Sequence, residues 1–314
     1  MPYRTCLVFA VLVVILTGCA MIPESKDEVM REALERAAPE PTPEPTPEPT
    51  PTATPNLELQ RLITPPEHMA FLWWHWSSEQ EFRTLQFDFT VHNDPDNYSE
   101  QHGLYLMLCF STISDVGFYF GLQTNVHDPQ RGFRGKGLIF SRWETRDLAN
   151  AKVADPEEGW TQSSGHEGDF IGVRRLYDWG AGDYRAILTP EGADSDGEWF
   201  GLWITDKASG EATWIGALKF PYQDGTAAVR SPVYTTMEIY GTSLRAFEIP
   251  EWRVSLDRPL GDGEPPIQFE TGYSMFTDQV PNANVRWNRT DQKIDIQAGA
   301  STERTDPEQF ATFD

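Results

Sequence analysis

Hydrophobic and polar positions divide the chain into three regimes. Residues 6–16 (CLVFAVLVVIL) form one continuous apolar run, residues 39–51 alternate proline with glutamate and threonine, and from Leu57 onward short apolar runs recur between turn residues. Runs such as 85–91 (LQFDFTV) and 104–110 (LYLMLCF) alternate or are wholly apolar, the patterns of strands buried on one face or on both. Others are 69–76 (MAFLWWHW), 118–123, 138–143, 184–188, 199–205 and 213–220. Turn chemistry lies between them at Asn93–Asn97, Asp194–Gly197, Lys207–Gly210 and Asp262-Gly263. No segment after Leu57 keeps a 3.6-residue apolar period over three turns. These patterns predict an all-β domain over 57–314, a β-sandwich of two antiparallel sheets of jelly-roll type. Beyond Gly261, residues 269–276 and 285–296 read as further strands and 301–314 as a polar tail, either closing the sandwich or forming an extension.

The first apolar run has 11 residues, whereas a bilayer crossing needs about 20, so its proportions are those of a signal peptide. Leu16-Thr17-Gly18-Cys19 follows directly. This resembles the lipobox of bacterial lipoproteins, in which the cysteine receives a diacylglyceryl group and cleavage precedes it. The resemblance implies residues 1–18 as signal peptide, Cys19 as a lipidated N-terminus and the bilayer as a partner. It places the protein in the bacterial cell envelope, membrane-anchored and facing outward; two acyl chains suffice for stable anchoring where one does not.

Residues 19–56 separate anchor from domain. Residues 23–38 favour a short solvated helix or disorder, and the Pro-Glu-Thr tract after them is an extended polyproline-II spacer, since alternate prolines remove amide donors and fix φ.

Composition then narrows the function. The 314 residues carry 48 acidic and 25 basic side chains, a formal charge of −23, with 40 acidic and 21 basic on residues 57–314. That excess argues against nucleic acid as a partner, because phosphate attracts lysine and arginine. It favours neutral or cationic ligands over acidic polymers. Three cysteines exclude a disulfide-rich scaffold, and Cys109, in an apolar run, reads as a buried small hydrophobe.

Several blocks of the domain resemble an uncharacterised family of secreted proteins known only as a domain of unknown function. They are Phe118-Tyr119-Phe120-Gly121-Leu122-Gln123, Leu138-Ile139-Phe140-Ser141-Arg142-Trp143 and His166-Glu167-Gly168. Tyr177-x-Trp179-x-x-Gly182-x-Tyr184-Arg185 follows, one residue shorter than the family spacing between Gly182 and Tyr184, then Trp199-Phe200-x-x-Trp203 and Trp214-Ile215-Gly216-x-Leu218-x-Phe220-Pro221. The resemblance implies an extracellular, concanavalin A-like sandwich akin to legume lectins and glucanases, and no reaction.

Candidate chemistry is sparse. Glu167 and Asp169 in a Gly-rich turn, with Glu144 nearby in sequence, offer the carboxylates that a polysaccharide hydrolase or lyase needs. The third acid of the Glu-x-Asp-x-x-Glu pattern is replaced by Gly172, and the alternative reading is a structural turn bonded to arginine. Asp94-x-Asp96-Asn97 and Asp194-x-Asp196-x-Glu198 cluster hard oxygens suited to calcium, but neither continues into a twelve-residue loop, and the six histidines lack metal-ligand spacing. No cofactor is expected. Aromatic and amide side chains suit glycans, so Gln123, Asn125, Arg142, Trp143, Trp199 and Trp203 are expected to line a groove, or else to fill the core. The expected function is glycan or envelope-polymer binding at the cell surface.

Overall fold

The computed structural model describes residues 57–77, 80–95, 101–153, 157–165, 168–273, 280–299, 302–305 and 310–314. Cys19, the linker and Glu167 lie outside them. The described residues contain no α-helix, and none of their helical turns is long and apolar enough to cross a membrane.

Sixteen strands of four residues or more carry the fold. In chain order they are β1 (Glu67–His75), β2 (Leu85–Val91), β3 (His102–Ile113), β4 (Val116–Gln123), β5 (Gly137–Trp143), β6 (Gly159–Ser164), β7 (Phe170–Leu176) and β8 (Gly182–Ala193). Then come β9 (Glu198–Asp206), β10 (Ala212–Phe220), β11 (Val229–Gly241), β12 (Trp252–Leu256), β13 (Gln268–Gly272), β14 (Ala283–Asn288), β15 (Lys293–Ala298) and β16 (Phe310–Phe313). Every pairing is antiparallel. The front sheet runs β6-β7-β5-β4-β3-β11-β1-β13-β16, and the back sheet runs β10-β9-β8-β2-β12-β15-β14.

The inner faces meet in an aromatic core. Phe118 and Phe140 of the front sheet pack edge-on against each other at 6.2 Å, and Phe118 packs edge-on at 5.7 Å against Phe220 of the back sheet. Phe200 closes on Phe220 at 5.8 Å. Strand β2 shows the rule: Leu85, Phe87, Phe89 and Val91 are buried while Gln86, Asp88 and Thr90 between them are not. A bulge in β3 between Met107 and Cys109 turns Cys109 into this core, and burial pushes its thiol well above the ordinary range. Gly121 answers the same bulge, because a Cβ there would run into the Leu106 carbonyl oxygen.

The region beyond Gly261 belongs to both sheets. The segment 285–296 is not one strand but the β14–β15 hairpin, whose turn ends on Gln292 at φ 56°. The expected polar tail contains β16, because two aromatics anchor it: Phe313 stacks on Phe269 at 5.1 Å and Phe310 meets Trp73 at 5.5 Å. Leu57–Asp314 forms one compact unit.

The front sheet breaks the one-face rule. Its outward side carries a second apolar cluster, Phe71, Tyr105, Met107, Val126, Ile139 and Tyr234, with half-buried Trp73, Phe110, Tyr119 and Trp160 packed against it.

Candidate functional site

Strand register lays that face out in rows. One row runs Glu270, Trp73, Tyr234, Phe110, Tyr119, Ser141, Gly172, Gln162 across eight strands. The row beside it runs Phe71, Thr236, Met107, Gly121, Ile139, Arg174, Trp160. Aromatic rings tile the β1 side: Trp73 lies 5.5 Å from Tyr234, Tyr234 6.1 Å from Phe110, and Trp143 5.7 Å from Phe110 and 5.0 Å from Tyr119. On the β6 side the rings give way to the small Ser141 and Gly172, flanked by Gln162 and Arg174. From Trp73 to Gln162 is six strand spacings, about 29 Å.

A polar line crosses the same face. His68 and Glu238 face each other across β1 and β11, with Nε2 3.4 Å from the carboxylate, and Nδ1 lies 3.0 Å from the Tyr234 hydroxyl. Burial lowers the His68 pKa to about 4, although the carboxylate opposes this. The neutral ring that burial favours carries its proton on Nε2, toward Glu238, leaving Nδ1 to accept from Tyr234. Tyr105, paired with Glu238 in register, is buried, and its hydroxyl has no hydrogen-bond partner. Burial holds its pKa well above the usual phenol range; Tyr119 and Glu238 push the same way and Arg174 opposes them.

The structure divides the six expected groove residues. Gln123 and Trp143 stand on the outward front face. Arg142 alternates inward, its guanidinium 5.2 Å from the Phe220 ring; burial lowers its pKa to about 10, and neither Nε nor one terminal nitrogen has a partner. Asn125 is buried in the loop after β4, where its Oδ1 accepts from the Gly135 amide and its backbone meets the Tyr240 hydroxyl. Trp199 and Trp203 lie on the outer face of the back sheet, away from the front face. Lys152 sits 3.6 Å over the Trp199 ring, and Trp203 and Trp214 each donate an indole N–H to Glu191, at 2.5 Å and 3.0 Å. Those indoles are held by structural partners.

The carboxylate candidates lie at the end of β5 and β7. Glu144 and Asp169 flank the Trp143–Phe170 pair and are exposed, with Asp169 4.0 Å from Arg146. A general acid needs a desolvated carboxyl. Glu238 and Glu270 on the front face are two strands and five residues apart, about 18 Å. Hydrolysis asks for a pair within about 10 Å. His92, Ser255 and Asp295 on the back sheet are wired in the wrong order for nucleophilic catalysis: Ser255 bridges the other two, donating to Asp295 at 2.6 Å with His92 Nε2 2.6 Å away. Among the described residues no three His, Cys, Asp or Glu side chains converge on a metal position. Asp194 instead accepts from the Asp196 amide and pairs with Lys219, while Glu198 binds Arg83.

Tyr105, Gln162, Tyr234 and Glu238 were not singled out from sequence; His68 entered only among histidines without metal-ligand spacing, and Arg174 only as a structural partner for the Glu167 turn. The signal available was the run 69–76 (MAFLWWHW), apolar on both faces in an antiparallel fold, which demands a second covered surface.

No protein-family model matches the chain, and no curated protein matches it. Among solved structures, a scytalido-glutamic peptidase with a peptide-based transition state analog matches at 10% identity, covering 76% of this chain and 100% of its own, with a TM-score of 0.38. A second structure of that peptidase, with a transition state analog inhibitor, matches at 8% identity over the same shares with a TM-score of 0.37.

Proposed function

We propose that this protein is a lipoprotein of the bacterial cell envelope, anchored through Cys19, whose front sheet binds an extended glycan or envelope polymer. The observation that carries this reading is the row from Trp73 to Gln162: half-buried Trp73, Phe110 and Tyr119 around a buried Tyr234 on one side, and Ser141, Gly172 and Gln162 on the other. Sugar rings stack their C–H faces on such aromatics, while buried hydroxyls and amides bond sugar hydroxyls. The length of the row suits an oligomer better than a monosaccharide.

Intrinsic fluorescence titration against oligosaccharides and cell-wall polymers tests this. Trp143→Ala is expected to weaken binding about 10-fold, the worth of one aromatic contact, while Trp203→Ala on the back sheet leaves it unchanged. No binding by any glycan, or equal effects of both variants, sinks the reading. For the anchor, Cys19→Ala is expected to move the protein from the membrane fraction to the soluble fraction. Retention in the membrane would refute lipidation at that residue.

A further inference from the structure

The outer face of the back sheet carries two ladder irregularities that meet at one place. In β8 the register slips between Pro190 and Gly192, which leaves Glu191 outside the ladder with β9. In β10 it slips at Ile215, whose side chain is buried in the core, and this sets Trp214 opposite Trp203. Bulges re-aim side chains, and these two bring Glu191, Trp203 and Trp214 together. The Glu191 carboxylate accepts the Trp203 indole N–H on Oε1 at 2.5 Å and the Trp214 indole N–H on Oε2 at 3.0 Å. Gly201 makes room for it, since a Cβ there would lie 2.0 Å from the Glu191 carboxyl carbon.

The cluster is open to solvent: Glu191 is exposed and both indoles are half-buried. Other acids of this sheet are neutralised from within the chain, Asp88 by Arg185 and Lys207 and Asp194 by Lys219. Arg175, which donates to the Trp214 carbonyl, is paired with Glu158. Glu191 has its two indole donors and, among the described residues, no cation. A carboxylate presents about four acceptor sites, so those facing solvent stay open.

The same face shows what such a set attracts. Trp199, four residues before Trp203 on β9, receives the Lys152 ammonium 3.6 Å from its ring centroid and that of Lys219 at 5.7 Å. Trp203 and Trp214, with centroids 6.4 Å apart and planes at 48°, add a carboxylate to the indole faces. Their N–H groups are spent on Glu191, so the rings offer a ligand π-faces rather than donors. A positive charge gains from the faces and from the carboxylate together. The excess of 40 acidic over 21 basic side chains on residues 57–314 draws cations toward the domain.

We propose that Glu191, Trp203 and Trp214 form a binding site for an organic ammonium group. The carboxylate supplies charge, and the indole faces favour a weakly hydrated organic cation over a hydrated metal ion. The site lies on the opposite sheet from the Trp73–Gln162 row and stands independently of the glycan reading.

The test follows the indole N–H signals of the isotopically labelled protein by NMR, with those of Trp203 and Trp214 assigned by their loss in Trp203→Phe and Trp214→Phe. Three ammonium probes are titrated, each beside a neutral counterpart: choline with dimethylbutanol, Nα-acetyl-lysine amide with Nα-acetyl-norleucine amide, and glucosamine with glucose. The pairs distinguish a lipid headgroup, a peptide side chain and an amino sugar as the source. At least one ammonium probe is expected to move both signals and to bind about 10-fold more tightly than its counterpart. Glu191→Gln is expected to bring that ratio close to one, while Trp143→Ala on the front sheet leaves it unchanged. Trp214→Leu removes one ring face and keeps the carboxylate; it is expected to weaken ammonium binding several-fold and carries the test if Glu191→Gln does not fold. Equal affinity for ammonium and neutral probes, binding by none of them, or a preference that survives Glu191→Gln overturns the site. None of these results bears on the front face, whose glycan titration reads separately.

Discussion

Replacing Trp179 with alanine is expected to lower stability by about 3–5 kcal/mol, the range for truncating a fully buried large aromatic. Trp179 is wholly buried and stacks on Trp252 at 5.3 Å with the ring planes 19° apart. Its indole N–H donates to the Gln123 carbonyl at 3.3 Å, and Lys136 Nζ lies 4.9 Å from the ring centroid while donating to the Trp179 carbonyl at 2.9 Å. Truncation removes the stack and the hydrogen bond together, leaves a void, and strips a half-buried lysine of its ring partner. The segment joins β7 to β8, so the indole pins the crossing from front sheet to back sheet. Chemical denaturation with a constant m-value measures the loss. A loss under about 1.5 kcal/mol would mean that the neighbouring side chains collapse into the void.

Acidification supplies the second large effect. The His68 pKa is lowered in the fold to about 4 from an unfolded value of 6.5. In that interval the unfolded chain binds the proton and the folded chain does not, so stability is full above pH 6.5 and falls as pH drops toward 4. At about 1.4 kcal/mol per pKa unit the loss approaches 3 kcal/mol. Glu238, 3.4 Å from Nε2, is the group that would resist this by favouring the imidazolium, and Tyr234, on Nδ1, is the group that a second ring proton would displace. His68→Gln keeps a polar side chain between them. The measurement is the difference between parent and variant in unfolding free energy at pH 7 and pH 4. The parent should lose more, by about 2–3 kcal/mol. Equal losses would show that the carboxylate, rather than burial, governs the ring.

Much of this architecture was legible because period-two patterning is local. The run 85–91 (LQFDFTV) declares its strand and buried face by itself, and it is β2 residue for residue. What patterning cannot carry is pairing. The β14–β15 hairpin hid inside one stretch read as strand because its turn, Arg289-Thr290-Asp291-Gln292, contains neither glycine nor proline. The site suffered most, since a row such as Trp73, Tyr234, Phe110, Tyr119, Ser141 joins residues 161, 124, 9 and 22 positions apart. Alternation placed Gln123 and Trp143 on one side of their strands, but it could not say that Trp199 and Trp203 belong to the other sheet. Arg142 and Trp143, neighbours on one strand, lie on opposite faces as alternation requires, so the two could not line one groove. The motif Tyr177-x-Trp179-x-x-Gly182-x-Tyr184 proves to be structural: Tyr184 folds back so that its hydroxyl bonds both the amide and the carbonyl of Gly180, at 3.1 Å and 3.2 Å.

Strand β6 is the last in the front sheet, and among the described residues no strand pairs beyond it, whereas at the other margin Phe310 stands against Trp73. A chain lying along the row therefore meets a ring at one end and an open border at the other. It can pass over that border and continue, so recognition of an internal stretch of polymer is compatible with the geometry and a free chain end is unnecessary. If the protein is lipid-anchored and binds a polymer as proposed, several copies could then grip one strand. Under that arrangement weak individual contacts combine, and the local concentration set by the membrane and the spacer governs retention more than the affinity of any single face.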